Sequence, residues 1–143
     1  MSPTPQAWSM NEWIPNHVNA AKDVVQSLLG QLEAMSWSED DRFGIHLSVE
    51  EALMNAIKHG NEEDPAKRVH VLIEVSDDQV VVQIADEGSG FDPDDVPDPT
   101  LEENLEIPSG RGVMLMRSFM TRVEYNDVGN RVRMEKSRSA SES

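Results

Sequence analysis

The 143-residue sequence predicts an α+β fold, a two-layer α/β sandwich with a mixed, mostly antiparallel sheet and helices on one face. Three observations point there. Two stretches in the first half repeat apolar residues at helical spacing. Two β-branched runs, 69–75 and 80–85, are joined by four polar residues in the manner of an antiparallel hairpin. A third apolar helix and two short strands then complete the order strand, helix, helix, strands, helix, strands.

Each element has a local reason. Residues 1–7 form a polar, proline-containing lead expected to be flexible, and 8–14 alternate imperfectly enough to suggest a strand. Pro15 and Asn16 mark a boundary, with Asn16 as the candidate N-cap of a helix carrying Val18, Ala21, Val24, Val25, Leu28, Leu29 and Leu32. Ser38 caps a second helix whose first turn, Glu39, Asp40 and Asp41, suits the positive end of the helix dipole. Its stripe runs through Ile45, Val49, Ala52, Leu53, Ala56 and Ile57, and Gly60 with Asn61 is expected to end it in a left-handed cap. Residues 86–109, rich in prolines and acids and without apolar period, read as a long functional loop. A helix over 112–120 and strands around 123–125 and 131–135 follow, and 137–143 reads as a flexible polar tail. Residues 1–143 are expected to make one domain.

Composition removes several functions. Twenty-seven acidic against twelve basic side chains leave a formal charge of −15, which repels phosphate backbones and anionic headgroups and speaks against nucleic-acid and membrane-surface partners. The absence of cysteine removes disulfides, thiol catalysis and Cys-based metal sites. With neither a signal-like start nor a spanning apolar run, a cytoplasmic location is expected.

Three short motifs carry chemistry. Glu51, Asn55 and His59 are spaced by four, forming one polar helix stripe that ends in Gly60 and Asn61. A neutral amide oxygen suits Mg²⁺, and a carboxylate one turn earlier can accept a proton beside a metal-bound phosphate. Alone, the stripe is explained equally well as a solvated helix face. Asp86-Glu87-Gly88-Ser89-Gly90-Phe91 follows a strand; its aspartate can accept from a base's exocyclic amine, and its glycines admit close backbone approach. Taken singly it is more simply a glycine-rich turn. Ser109-Gly110-Arg111-Gly112 opens a helix, where free N–H groups and an arginine suit phosphate oxygens, although an ordinary loop-to-helix turn explains the fragment too.

In that order, E-x-x-x-N, D-x-G-x-G and a G-x-G helix start resemble the ATP-binding fold shared by histidine kinases and gyrase-type ATPases, over residues 18 to 136. The phrasing "EEALMNAIKHGN … ADEGSGFDP … SGRGVMLMRSFMTRVEYN" is most similar to the bacterial anti-sigma-factor serine/threonine kinases. That resemblance implies ATP and Mg²⁺ as cofactors. It implies Glu51 as general base, Asn55 as Mg²⁺ ligand, Asp86 as adenine acceptor, and Gly88 and Gly90 as walls of the base pocket. It makes 92–109 a lid, sets Gly110 and Gly112 against the phosphates, and places Lys58 and His59 at the nucleotide's border. Some of these kinases put an arginine two residues before the first glycine of G-x-G; here Pro108 holds that slot, and Arg111 is the candidate replacement. The partners implied are an anti-anti-sigma protein and a sigma factor. Trp8 and Trp13 are expected to cover a sheet edge or a homodimer interface.

Two functions therefore compete: a Mg-ATP-dependent protein serine/threonine kinase that phosphorylates an anti-anti-sigma partner and sequesters a sigma factor, and a non-catalytic nucleotide-gated binding module. Intact Glu51 and Asn55 favour the first, and Pro108 favours the second. Several residues keep plainer roles. His59 is no phosphoacceptor, Met114, Met116 and Met120 with Phe119 belong to the core, and the aspartates of 92–98 make a solvated loop.

Overall fold

The computed structural model describes residues 7–62, 64–88, 110–126 and 129–139, with Gly110 and Arg111 as backbone only. Strands β2 (Arg68–Ser76) and β3 (Gln79–Ala85) bury Val69, Val71, Ile73 and Val75 on one, and Val80, Val82 and Ile84 on the other. A period of two puts these side chains on one face. The register sets Val71 opposite Ile84, Ile73 opposite Val82 and Val75 opposite Val80, so apolar pairs stack across the ladder. Strand β5 (Arg131–Ser137) continues the pattern, with Val132 and Met134 beside Ile84 and Val82.

Strand β1 (Ala7–Pro15) pairs with β2 at one edge and β4 (Arg122–Tyr125) with β5 at the other, giving the order β1-β2-β3-β5-β4. Every pairing among the described strands is antiparallel, so the mixed component expected from sequence is not seen there. Helices α1 (Val18–Ala34), α2 (Glu39–Met54) and α3 (Gly110–Phe119) supply the second layer. Their buried residues, including Leu28, Leu32, Ile45, Leu53 and Met116, join the sheet's apolar face in one cluster. The structure is thus the α+β two-layer sandwich. None of its described helices is long and apolar enough to cross a membrane.

Five local details differ from the sequence reading. Asn16 does not cap α1; the Asn19 N–H donates to His17 Nδ1 at 3.0 Å, while Asn16 Nδ2 donates to the Asp64 carbonyl at 3.0 Å. The α2 stripe does not run straight to Gly60. Asn55–Gly60 forms a π-helical turn, closed by Asn61 N–H on the Ala56 carbonyl at 2.8 Å. Nor do Gly60 and Asn61 form a left-handed cap: Asn61 keeps right-handed angles, and the positive φ falls on Glu62 at 52°.

The segment expected to begin a flexible tail is held. The Arg138 N–H donates to the Asp78 carbonyl at 2.8 Å, and Ser139 gives Asp41 two bonds, from N–H at 2.9 Å and from Oγ at 2.5 Å. Ala7, assigned to the flexible lead, is the first residue of β1 and pairs with Ser76. Asp41 is buried near the start of α2. Burial opposes its charge, yet donation from Ser139, the Lys136 ammonium and Ser38 hold its carboxyl below the usual value.

Candidate functional site

The π-turn and the ends of β3, β4 and β5 enclose one cleft. Asn55, His59 and Gly60 contribute from the helical side, Asp86 from the end of β3, and Tyr125 and Asn130 from the far sheet edge. A π-turn carries one extra residue per turn and commonly marks a functional position in a helix. Here it holds Asn55 and His59 on the cleft and leaves Lys58 exposed and outside its lining.

Asp86 leaves the sheet immediately after β3, tied by its N–H to the Asn130 carbonyl at 2.9 Å. Its Oδ1 accepts the Gly88 N–H at 2.7 Å. The carboxylate lies so close to Gly60 that an added Cβ there would come within 2.6 Å of Oδ1. A Cβ on Gly88 would meet the same oxygen at 2.9 Å and press on the Gly60 carbonyl. Glycine at 88 is therefore a steric requirement, and glycine at 60 leaves the space that the Asp86 carboxylate fills, which gives physical content to the "HG" and "DEG" of the sequence. Burial raises the Asp86 carboxyl above its ordinary value, while the Gly88 N–H and Lys67 pull it back.

At the other end of the same helical rod, the Glu51 carboxylate lies against the Cα of Gly112 in the first turn of α3. A Cβ on Gly112 would sit 2.9 Å from Glu51 Cδ, with Oε1 nearer still. The charge of Glu51 is felt by Tyr125 on the cleft lining. Burial pushes its phenol well above the usual value, Arg117 opposes the shift, and the charge of Glu51 adds to it.

The amide of Asn55 brings unused capacity to the cleft, since its Nδ2 is buried with no partner among the described residues. Its carbonyl oxygen is a hard, neutral donor of the kind Mg²⁺ accepts while keeping most of its waters. No group of three or more acidic or histidine side chains that could hold a metal occurs among the described residues.

The structure thus gathers Asn55, His59, Asp86, Gly88 and Gly60 in and around one cleft, and Glu51 with Gly112 beyond it. Gly110 starts α3. Gly90, the 92–109 lid, Pro108 and the Arg111 side chain lie outside the described residues. Sequence reasoning passed over Asn61, Tyr125 and Asn130. Asn61 carried the one available signal, a polar residue directly after His59-Gly60 that was assigned to capping.

Residues 14–136 match the family model of the histidine kinase-like ATPase domain. The chain is 32% identical over 126 residues to an anti-sigma F factor of Bacillus subtilis, covering 85% of this chain and 84% of that protein. It is 31% identical over 119 residues to the serine-protein kinase RsbW of the same organism, covering 77% and 73%. The serine/threonine-protein kinase BtrW of Bordetella bronchiseptica is 33% identical over 91 residues, spanning 62% of this chain and 64% of BtrW, just under two thirds of its length. Among solved structures, the RsbU and RsbW domains of Rv1364c from Mycobacterium tuberculosis superpose with a TM-score of 0.59 at 16% identity. That match covers 96% of this chain and 33% of the other, a likeness of fold. The chain belongs to the histidine kinase-like ATPase family, among its anti-sigma-factor serine/threonine kinases.

Proposed function

We propose that this protein is a cytoplasmic Mg-ATP-dependent serine/threonine kinase that phosphorylates an anti-anti-sigma partner and restrains a sigma factor. One observation carries the reading. A single helical rod sets the Glu51 carboxylate against the start of α3 at one end and closes on the Asp86 carboxylate at the other. That arrangement supports reading a phosphate end and a base end on one piece of backbone.

In this reading Asp86 accepts the adenine amino group in the cleft. The N–H groups opening α3 at Gly110–Gly112 take the phosphate oxygens. Asn55 would hold Mg²⁺, which when bound would supply charge neutralisation for the phosphates. Glu51 accepts the proton of the partner's hydroxyl as its oxygen bonds the γ-phosphorus and the bond to ADP breaks. His59 borders the nucleotide from the π-turn. Arg111 is the cation available at the helix start, where Pro108 stands in the arginine slot.

The test uses purified protein, γ-labelled Mg-ATP and a candidate anti-anti-sigma protein. Wild type should transfer label to a serine or threonine, and Glu51→Ala should lose about 10²- to 10⁴-fold in rate with ATP affinity nearly unchanged. Transfer that persists in Glu51→Ala rejects the base assignment. Tight ATP binding by wild type without transfer to its true partner leaves the nucleotide-gated binding module.

A further inference from the structure

Asn61 is fully buried, and its side chain meets three separate segments. Its Oδ1 accepts the Glu87 N–H at 2.7 Å. Its Nδ2 donates to the Arg68 carbonyl at 2.9 Å and to Asn16 Oδ1 at 3.2 Å. Arg68 in turn donates its N–H to Glu87 Oε2 at 2.6 Å. Asn61, Arg68 and Glu87 therefore close a ring of three hydrogen bonds: amide to strand, strand to carboxylate, and backbone N–H to amide.

The ring is built around the peptide that follows Asp86. Glu87 N–H is the amide of the Asp86–Glu87 bond, so fixing it fixes the direction in which Asp86 leaves β3. Asn61 also ends the π-turn through its own N–H, and Gly60, its chain neighbour, is the surface against which the Asp86 carboxylate packs. One planar amide offering one acceptor and two donors thus locks both walls of the base end to each other. Aspartate would keep the acceptor and turn the two donated bonds into repulsions, and leucine would leave three polar groups unpaired.

We propose that Asn61 is a positioning residue for nucleotide recognition, holding Asp86 at the orientation that accepts the exocyclic amine of the base. The proposal rests on the assignment of Asp86 to the adenine amine made above. Asn61 touches no nucleotide in this scheme; it acts through Asp86.

Calorimetry with two nucleotides separates that role from a general structural one. The probes are ATP and purine riboside 5′-triphosphate, which lacks the 6-amino group. Wild type should prefer ATP. Asn61→Ala should weaken ATP by roughly tenfold, about 1.4 kcal/mol, and leave the amine-free analogue within about twofold. Adding Asn61→Ala to Asp86→Asn should cost little more than Asp86→Asn alone, as for two residues acting through one contact. Circular dichroism and melting confirm that the variants are folded. Should Asn61→Ala fail to fold, Glu87→Ala opens the same ring from an exposed side chain and should show the same ATP-selective loss. Equal loss for both nucleotides, or full additivity with Asp86→Asn, overturns the positioning role while the adenine assignment stands. A wild type that does not discriminate between the nucleotides overturns the adenine assignment and this proposal together.

Discussion

Gly112→Ala adds one methyl group at the contact between α3 and Glu51. The new Cβ would lie 2.9 Å from Glu51 Cδ, against about 3.4 Å for ordinary contact, with Oε1 closer still. The carboxylate must therefore retreat on the order of 1 Å. Because the obstacle is the end of a flexible side chain rather than backbone, rotation of Glu51 relieves it cheaply. Alanine in a helix also gains up to about 1 kcal/mol over glycine, so the variant should be as stable as wild type. Catalysis is less forgiving, since misplacement of a reacting group by about 1 Å can cost about 10²-fold in rate. The expected phenotype is near-normal melting, near-normal ATP affinity and phosphate transfer reduced about 10²-fold. Single-turnover transfer at saturating ATP, beside calorimetry and thermal melting, reads all three. The double variant with Glu51→Ala should be no slower than Glu51→Ala alone. Undiminished transfer by folded Gly112→Ala would refute the placement of Glu51 at the reacting end, and a collapse in stability would refute the claim that the side chain yields first.

Asp86→Asn keeps the shape that Gly60 and Gly88 accommodate but removes the charge. ATP affinity should fall by the worth of a charged acceptor, about 1.5–3 kcal/mol or roughly 10- to 150-fold in calorimetric Kd. Because burial raises the Asp86 pKa, its charge costs stability above the folded pKa. Apo Asp86→Asn should therefore melt at or above wild type near neutral pH, and the difference should vanish on acidification through that pKa. Asn55→Ala should fold but lose the magnesium-dependent gain in ATP affinity, measured as Kd with and without Mg²⁺; an undiminished gain would make Asn55 a bystander. Asp41→Ala should release Ser139 and Lys136 and cost about 1.5–3 kcal/mol by denaturant titration. With its folded pKa depressed, Asp41 stabilises above the unfolded carboxylate range, so the gap to wild type should close as pH falls through the folded value.

Those elements whose signal is local were legible in the sequence. The apolar periods of α1 and α2 and the β-branched runs of β2 and β3 report burial position by position, and Ser38 caps α2 as its chemistry implies, accepting the Asp41 N–H at 3.1 Å. Helix α3 buries Val113 and Met116 but leaves Met114, expected in the core, exposed. What escaped depends on partners far along the chain. Asn16 is a good cap in isolation, but Asp64 and Asn61 claim its side chain, so His17 caps the helix instead. The tail looks unstructured because its holder, Asp41, lies 98 positions away from Ser139. The π-turn leaves no trace in a spacing of four, because Glu51, Asn55 and His59 read alike whether the turn holds four or five residues. Candidate site residues were legible as types, while the proximity of Glu51 to Gly112 and of Asp86 to Gly60 comes only from how α3 and β3 pack on the rod.

The unbroken run from Glu51 to Gly60 has a consequence for ligand length. The nine steps from one end of the run to the other span on the order of 13 Å at helical rise. The run carries the proposed base at its start, the amide of Asn55 within it and the wall of the base pocket at its end. On the proposed assignments it would work as a ruler with fixed graduations, against which a nucleotide is gauged from purine to terminal phosphate. A shorter nucleotide seated at Asp86 would then stop short of Glu51, so a mono- or diphosphate would occupy the pocket without presenting anything to the reacting end. Deleting one residue from the π-turn would wind it back into an ordinary helix and turn its last graduation away from the first, leaving both ends of the site intact but no longer facing the same molecule.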